Sequence, residues 1–173
     1  MSELRTNRII PRDGLPSGSS GGVIQVKSAT KTDGDFNTSS STYTDVTGLS
    51  VTITPTRSDS KMLIFASIHG IGNQDTQAYF RFMRDSTPIC VGTSVGNRVA
   101  ATMGSLYEDQ ANDTNSCSQN FLDSPSTTSA VTYKIQTRTQ GAGTIYINRS
   151  DTDENNATSG RFTSTITVME VSG

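Results

Sequence analysis

The sequence has no tryptophan, a single histidine (His69) and two cysteines, Cys90 and Cys117. One imidazole cannot supply a catalytic zinc triad, and two widely separated cysteines make neither a metal quartet nor a disulfide scaffold. Charged residues are 17% of the chain, against roughly 25% in an ordinary soluble domain, and the net charge is −2. That balance offers no positive field to a nucleic acid. No apolar run approaches the ~20 residues a membrane-spanning helix needs. The charged start, MSELRTNRII, is followed by no apolar region, so no signal peptide is expected. Leucine occurs six times, which is sparse for a chain built on helices. An α-helical or α/β class is excluded on that ground.

Small hydroxyl residues and β-branched residues fill the space instead. The 173 residues, one domain's worth, include 24 serines, 26 threonines, 15 glycines and 10 asparagines. Threonine, valine and isoleucine favour strands. With 32% hydrophobic residues and a mean hydropathy of −0.41, the interior is thin for the length. Either the domain is shallow or it buries further surface against copies of itself.

Residues 1–22 stand apart as an arm and a linker. Leu4, Ile9 and Ile10 are interleaved with Arg5, Asn7, Arg8 and Arg12, and Pro11 and Asp13 interrupt any regular element. Glycine and serine dominate from residue 17 to 22, the composition of a flexible linker. Apolar content of this kind is not needed in a frayed tail. The segment reads as an arm that orders on a partner surface.

Short alternating runs begin at Val23 and continue to the end. Strands are expected over residues 23–26, 42–46, 49–54, 61–68, 77–84, 89–92, 99–107, 116–122, 131–136, 144–148 and 162–171. Residues 85–88 are expected to turn, and Gln140-Gly141-Ala142-Gly143 to close a tight hairpin onto 144–148. Residues 61–68 (KMLIFASI) are nearly continuously apolar, as for a strand covered on both faces. The fold class is therefore all-β, an antiparallel β-sandwich of jelly-roll type over residues 23–173 with an extended N-terminal arm.

Candidate chemical groups are few, and each has a structural reading. His69 has no nucleophile or carboxylate motif around it and suits an edge or interface. Cys90 and Cys117 read as small buried hydrophobes, with a disulfide open if their strands are neighbours. Asp151, Asp153, Glu154 and Asn155 resemble the start of a calcium loop, but the glycine and terminal glutamate are missing. Asp33-Gly34 is turn chemistry, with Asp35 beside it. Asn148-Arg149-Ser150 and Asn156-Ala157-Thr158 match glycosylation sequons, which such a composition produces by chance. Tyr43, Tyr79 and Tyr107 are the candidates for a sugar platform, and loops 70–76, 108–115 and 151–160 are the polar tips where recognition would sit. No metal site, cofactor or catalytic residue is expected.

Several segments resemble small structural, tail-fibre-like virion proteins of tailed bacteriophages of marine and cyanobacterial hosts. These are SELRTNRIIPRDGLPSG, VTGLSVTITPTRSDSKMLI, FRFMRDST, FLDSPSTTSAVTYKIQT and GRFTSTITVMEV, which together cover most of the chain. The resemblance implies a sandwich that trimerises, distantly similar to complement and tumour-necrosis-factor jelly rolls, and no catalysis. It implies an anchoring role for Leu4, Arg5, Asn7, Arg8, Ile9, Ile10, Pro11, Arg12 and Asp13. The expected partners are further copies of the chain and other virion proteins, on a tail fibre or as a capsid decoration, with neither nucleic acid nor membrane. The competing expectation is a carbohydrate-binding module that reads host glycans with its loop tips.

Overall fold

Among the described residues, alternating apolar and hydroxyl residues are realised as eleven strands. The computed structural model describes residues 22–73, 75–105, 107 and 110–173, and among them there is no helix. The strands are β1 (Val23–Lys31), β2 (Asn37–Thr38), β3 (Thr44–Ile53), β4 (Lys61–Ile71), β5 (Ala78–Arg84) and β6 (Thr87–Ile89). They continue with β7 (Met103–Gly104), β8 (Asn115–Asp123), β9 (Val131–Thr139), β10 (Ile145–Tyr146) and β11 (Ser164–Val171). One sheet has the order β1-β11-β4-β8; the other is β3-β9-β5-β6, with β7 also pairing β5. All pairings are antiparallel, and the chain passes from sheet to sheet in the manner of a jelly roll. β2 and β10 form a small ribbon of their own. The arm residues 4–13 lie outside the described residues.

The period-two pattern decides which side chains meet between the sheets. Ile64, Ile68, Ile166 and Val168 from one sheet face Ile53, Phe80, Phe82 and Ile135 from the other, all buried. Each such side chain contributes about 1.5–3 kcal/mol by leaving water. β4 is covered on one side only, not two: Met62, Ile64, Ala66 and Ile68 are inside, while Phe65 is 41% exposed.

Other departures from the sequence expectation have local causes. The strands expected over 42–46 and 49–54 merge into one, β3 (Thr44–Ile53), whose register slips between Asp45 and Ser50 around Gly48 at φ +89°. Such a bulge keeps Val46, Leu49 and Val51 all buried. The β5–β6 turn is only Asp85-Ser86, because Arg84 already pairs with Thr87. Asp85 takes φ +52° there, held by its amide on the Thr132 carbonyl (2.7 Å) and its carboxylate on the Thr132 amide (2.9 Å). Of the described residues in 99–107, only Met103 and Gly104 pair as a strand. The hairpin at 140–143 does not form. Gln140 and Gly141 turn instead to Gln77 and Thr76, and Ile145 and Tyr146 pair with β2. Phe162 precedes the last strand, which starts at Ser164, and is 36% exposed.

Candidate functional site

The three loops expected to carry recognition meet at one end of the sandwich. The Thr152 amide donates to the Ala111 carbonyl (3.0 Å), joining loop 151–160 to loop 108–115. The Asn115 side chain reaches Asn73 (3.4 Å), and the Tyr107 hydroxyl donates to Asp75 Oδ1 (2.8 Å), so loop 70–76 joins the same surface. Gly72 makes the approach possible: a Cβ there would lie 2.5 Å from the Asp151 amide nitrogen. Tyr107 is 53% exposed on this surface.

Most polar groups near this end hold loops in place. Asn148 is fully buried; its amide donates to the carbonyls of Lys31 and Asp33 (2.9 Å each), and its carbonyl accepts from Ser164 Oγ (2.6 Å). That sequon is therefore closed to a glycan, whereas Asn156 is exposed and bonded to Glu154. Asp153 pairs with Arg161 (2.7 Å), and Arg149 stacks on Tyr146 (3.8 Å) while donating to the carbonyls of Gly34, Ser150 and Asp151. The supposed calcium loop is thus an arginine-braced turn. Among the described residues, no three His, Cys, Asp or Glu side chains gather where they could hold a metal ion.

The remaining candidates are scattered. His69 is on the interior strand β4 and not at a sheet edge; its Nδ1 is 3.0 Å from Ser116 Oγ. Cys90 follows β6 in one sheet and Cys117 lies in β8 of the other; both are free and pack on the core. Burial pushes the Cys117 thiol up to about 12, so it is not a nucleophile at neutral pH. Asp33 makes an ion pair with Lys31 and accepts from the Asp35 amide, an Asx-type turn, and the Lys31 bond holds its carboxyl below the usual range. These residues rim an open depression of about 490 Å³ that includes Asn37 and Gly48, with the only ammonium in it already engaged. Tyr43 immediately precedes β3, and Tyr79 lies on β5, where it pairs with Gly104. Tyr43 donates to the Ala100 carbonyl (2.7 Å) and sits under Arg81, whose guanidinium is 4.0 Å from the ring centroid.

Sequence reasoning missed two buried carboxylates among the described residues. Glu170 is fully buried on β11 and accepts from Gln25, from the Thr56 amide and from the Thr56 hydroxyl (2.6–2.7 Å). Burial works to raise its pKa, but these hydrogen bonds outweigh it and leave the carboxyl below its ordinary value. Asp123 on β8 takes both carboxylate oxygens to Arg84 of the opposite sheet (3.0 Å) and one to the Tyr133 hydroxyl (2.7 Å). Burial drives the Tyr133 hydroxyl strongly upward, so it stays a donor. The signal was present: both acids occupy inward positions of alternating strands, after Val168 and Phe121 respectively.

No protein-family model matches the chain, and no curated protein does. Among solved structures it is similar to a chain in "Structure of infectious bursal disease virus Gx strain", with a TM-score of 0.38 and 14% identity. That likeness covers 98% of this chain and 43% of the other, so this chain spans less than half of its length. At that distance it transfers no function.

Proposed function

We propose that this chain is a non-enzymatic structural module of a tailed-phage virion, a homotrimeric knob fixed to the particle by residues 4–13. The observation that supports it most is how the described polar chemistry is spent. Asn148, Asp153, Arg149, Asp123 and Glu170 all brace loops or tie the sheets together. Such bracing suits a rigid body whose work is to be held and to hold. The segments that resemble phage virion proteins supply the context. In the arm, Arg5, Arg8 and Arg12 offer bidentate donors to carboxylates, and Leu4, Ile9 and Ile10 offer apolar anchors. Three arms per trimer convert weak single contacts into avidity.

The test is particle incorporation. Phage producing the chain without residues 1–16 should assemble particles that lack it, as read by mass spectrometry of purified virions. Undiminished incorporation would sink the anchoring role. Imaging particles that carry a labelled copy separates a tail fibre from a capsid decoration. The convergence of three loops around exposed Tyr107 favours a second reading, a glycan-binding tip. A glycan array probed with the whole chain decides it: binding that Tyr107→Ala abolishes supports that reading, and a blank array removes it.

A further inference from the structure

Pairing register assigns the outward side chains of the β1-β11-β4-β8 sheet. Val26 pairs with Met169, Met169 with Leu63, and Leu63 with Leu122, so one row of four apolar side chains crosses the sheet from edge to edge. Phe65 stands in the next row and Val171 on the other side. Among the described residues, four of the eight exposed large hydrophobics belong to this face, including Val26 at 50%, Leu122 at 52% and Phe65 at 41%. The rest is almost wholly serine, threonine and asparagine. Ser28 and Thr167 already bond each other (2.8 Å), which lowers the cost of removing them from water. Among the described strand residues on this face, Lys61 and His69 are the only ionisable groups, and they sit at opposite ends of β4.

We infer that this face is where copies of the chain pack on one another, with the Val26–Met169–Leu63–Leu122 row at the centre of the contact. A contiguous exposed apolar patch on a soluble chain marks an interaction surface, and interface cores are depleted in charge. The partner is an identical copy because the centre of the face is uncharged, with Lys61 only at one end of β4: the row meets its like without repulsion and offers a charged partner nothing to pair with. The row's two ends are among its most exposed members and lie on the two edge strands. Around a cyclic axis, the Leu122 edge of one copy meets the Val26 edge of the next, and such a head-to-tail contact closes into a ring. This inference rests on the self-association in the reading above and names its surface.

Light scattering of the full chain at micromolar concentration tests it. The unaltered chain should have the mass of a trimer. Val26→Lys and Leu122→Lys should each weaken association at least tenfold with unchanged circular dichroism, while Thr52→Lys on the opposite sheet should leave it intact. A chain carrying Val26→Cys and Leu122→Cys should cross-link between copies. The two positions are three strand spacings apart, about 14 Å, too far for a bond within one copy. A trimer that survives both lysine variants and does not cross-link overturns this face while leaving self-association standing. A monomer with the row open to solvent overturns both. A monomer whose row is protected from labelling, with protection lost in Ile9→Asp, makes the arm the occupant and equally overturns the inference.

Discussion

The two outward faces of the sandwich are both built from antiparallel strands and differ in what crosses them. On β3-β9-β5 the register aligns Asp45, Gln136 and Arg81 in one row. Asp45 accepts from Lys134 (2.6 Å) and Gln136 (2.7 Å), and Arg81 gives two bonds to Gln136 Oε1 (2.9 and 2.7 Å) while lying over Tyr43. Every charge in that row has a partner on its own chain. The corresponding row on the other sheet is Val26, Met169, Leu63 and Leu122, and water is a poor solvent for all four. A monomer would be expected to finish both faces alike. The difference separates a face whose polar groups are paired within one chain from a face crossed by an apolar row.

The largest expected effect lies where the charged sheet reaches through to the neutral one. Asp123 is nearly buried, and Arg84 and Tyr133 converge on it from the opposite sheet. Asp123→Ala would leave a partly buried guanidinium without its carboxylate and should cost about 3 kcal/mol in urea unfolding. A loss below about 1 kcal/mol would mean the sheets are held by apolar burial alone, and the charged and neutral layers are then independent.

Glu170 and Asp45 sharpen the contrast through pH. Both carboxyls are held below their ordinary values: burial opposes this in each, and hydrogen bonds outweigh it. A depressed folded pKa contributes stability that is full above the unfolded value, 4.5 for Glu170, and is lost as pH falls through the folded value. Glu170→Gln should therefore cost about 1–2 kcal/mol near pH 7 and flatten the fall in stability below pH ~4.5. Asp45 is half exposed, and Asp45→Asn should change that slope far less. Parallel melting-temperature curves for Glu170→Gln and the unaltered chain from pH 7 to 3 would break the argument.

Much of this was legible in the residues. The alternation of Val131, Tyr133 and Ile135 and of Ala78, Phe80 and Phe82 marks the inner face correctly, and the all-β class followed from threonine, valine and isoleucine. What was hidden depended on which strand lies beside which. Residues 140–143 have hairpin composition, yet β9 is followed by β10, which pairs β2 and not β9, so the turn is spent on Thr76 and Gln77. KMLIFASI looked buried on both sides, because Leu63 and Phe65 add apolar side chains on the outward face of β4 to the buried ones on its inward face. Gly48 gave no warning of a bulge that is visible only against β9. At the loop end, the polar tips were recognisable, but not that an internal asparagine, Asn148, ties them to β1 and β11.

A middle-sized effect belongs to the charged face. Arg81→Ala removes the contact with Tyr43 and both bonds to Gln136, and should cost about 1 kcal/mol, because the site is only partly buried. No change in unfolding free energy would show that this row is decoration and not a finished surface.

The smallest effects, paired, discriminate best between the two faces. Lys134→Ala deletes an exposed ion pair with Asp45, and Leu122→Ser replaces a side chain that is 52% exposed in the single chain. Measured in dilute protein, each should shift unfolding by no more than about 0.5 kcal/mol. Concentration then separates them. If copies pack through the neutral row, folding is linked to association, and the melting temperature of the unaltered chain rises with protein concentration. Lys134→Ala should keep that rise and Leu122→Ser should lose it, although neither residue matters to the isolated fold. Equal concentration dependence in both variants would return the apolar row to the status of ordinary exposed surface and leave the asymmetry of the two faces without a physical consequence.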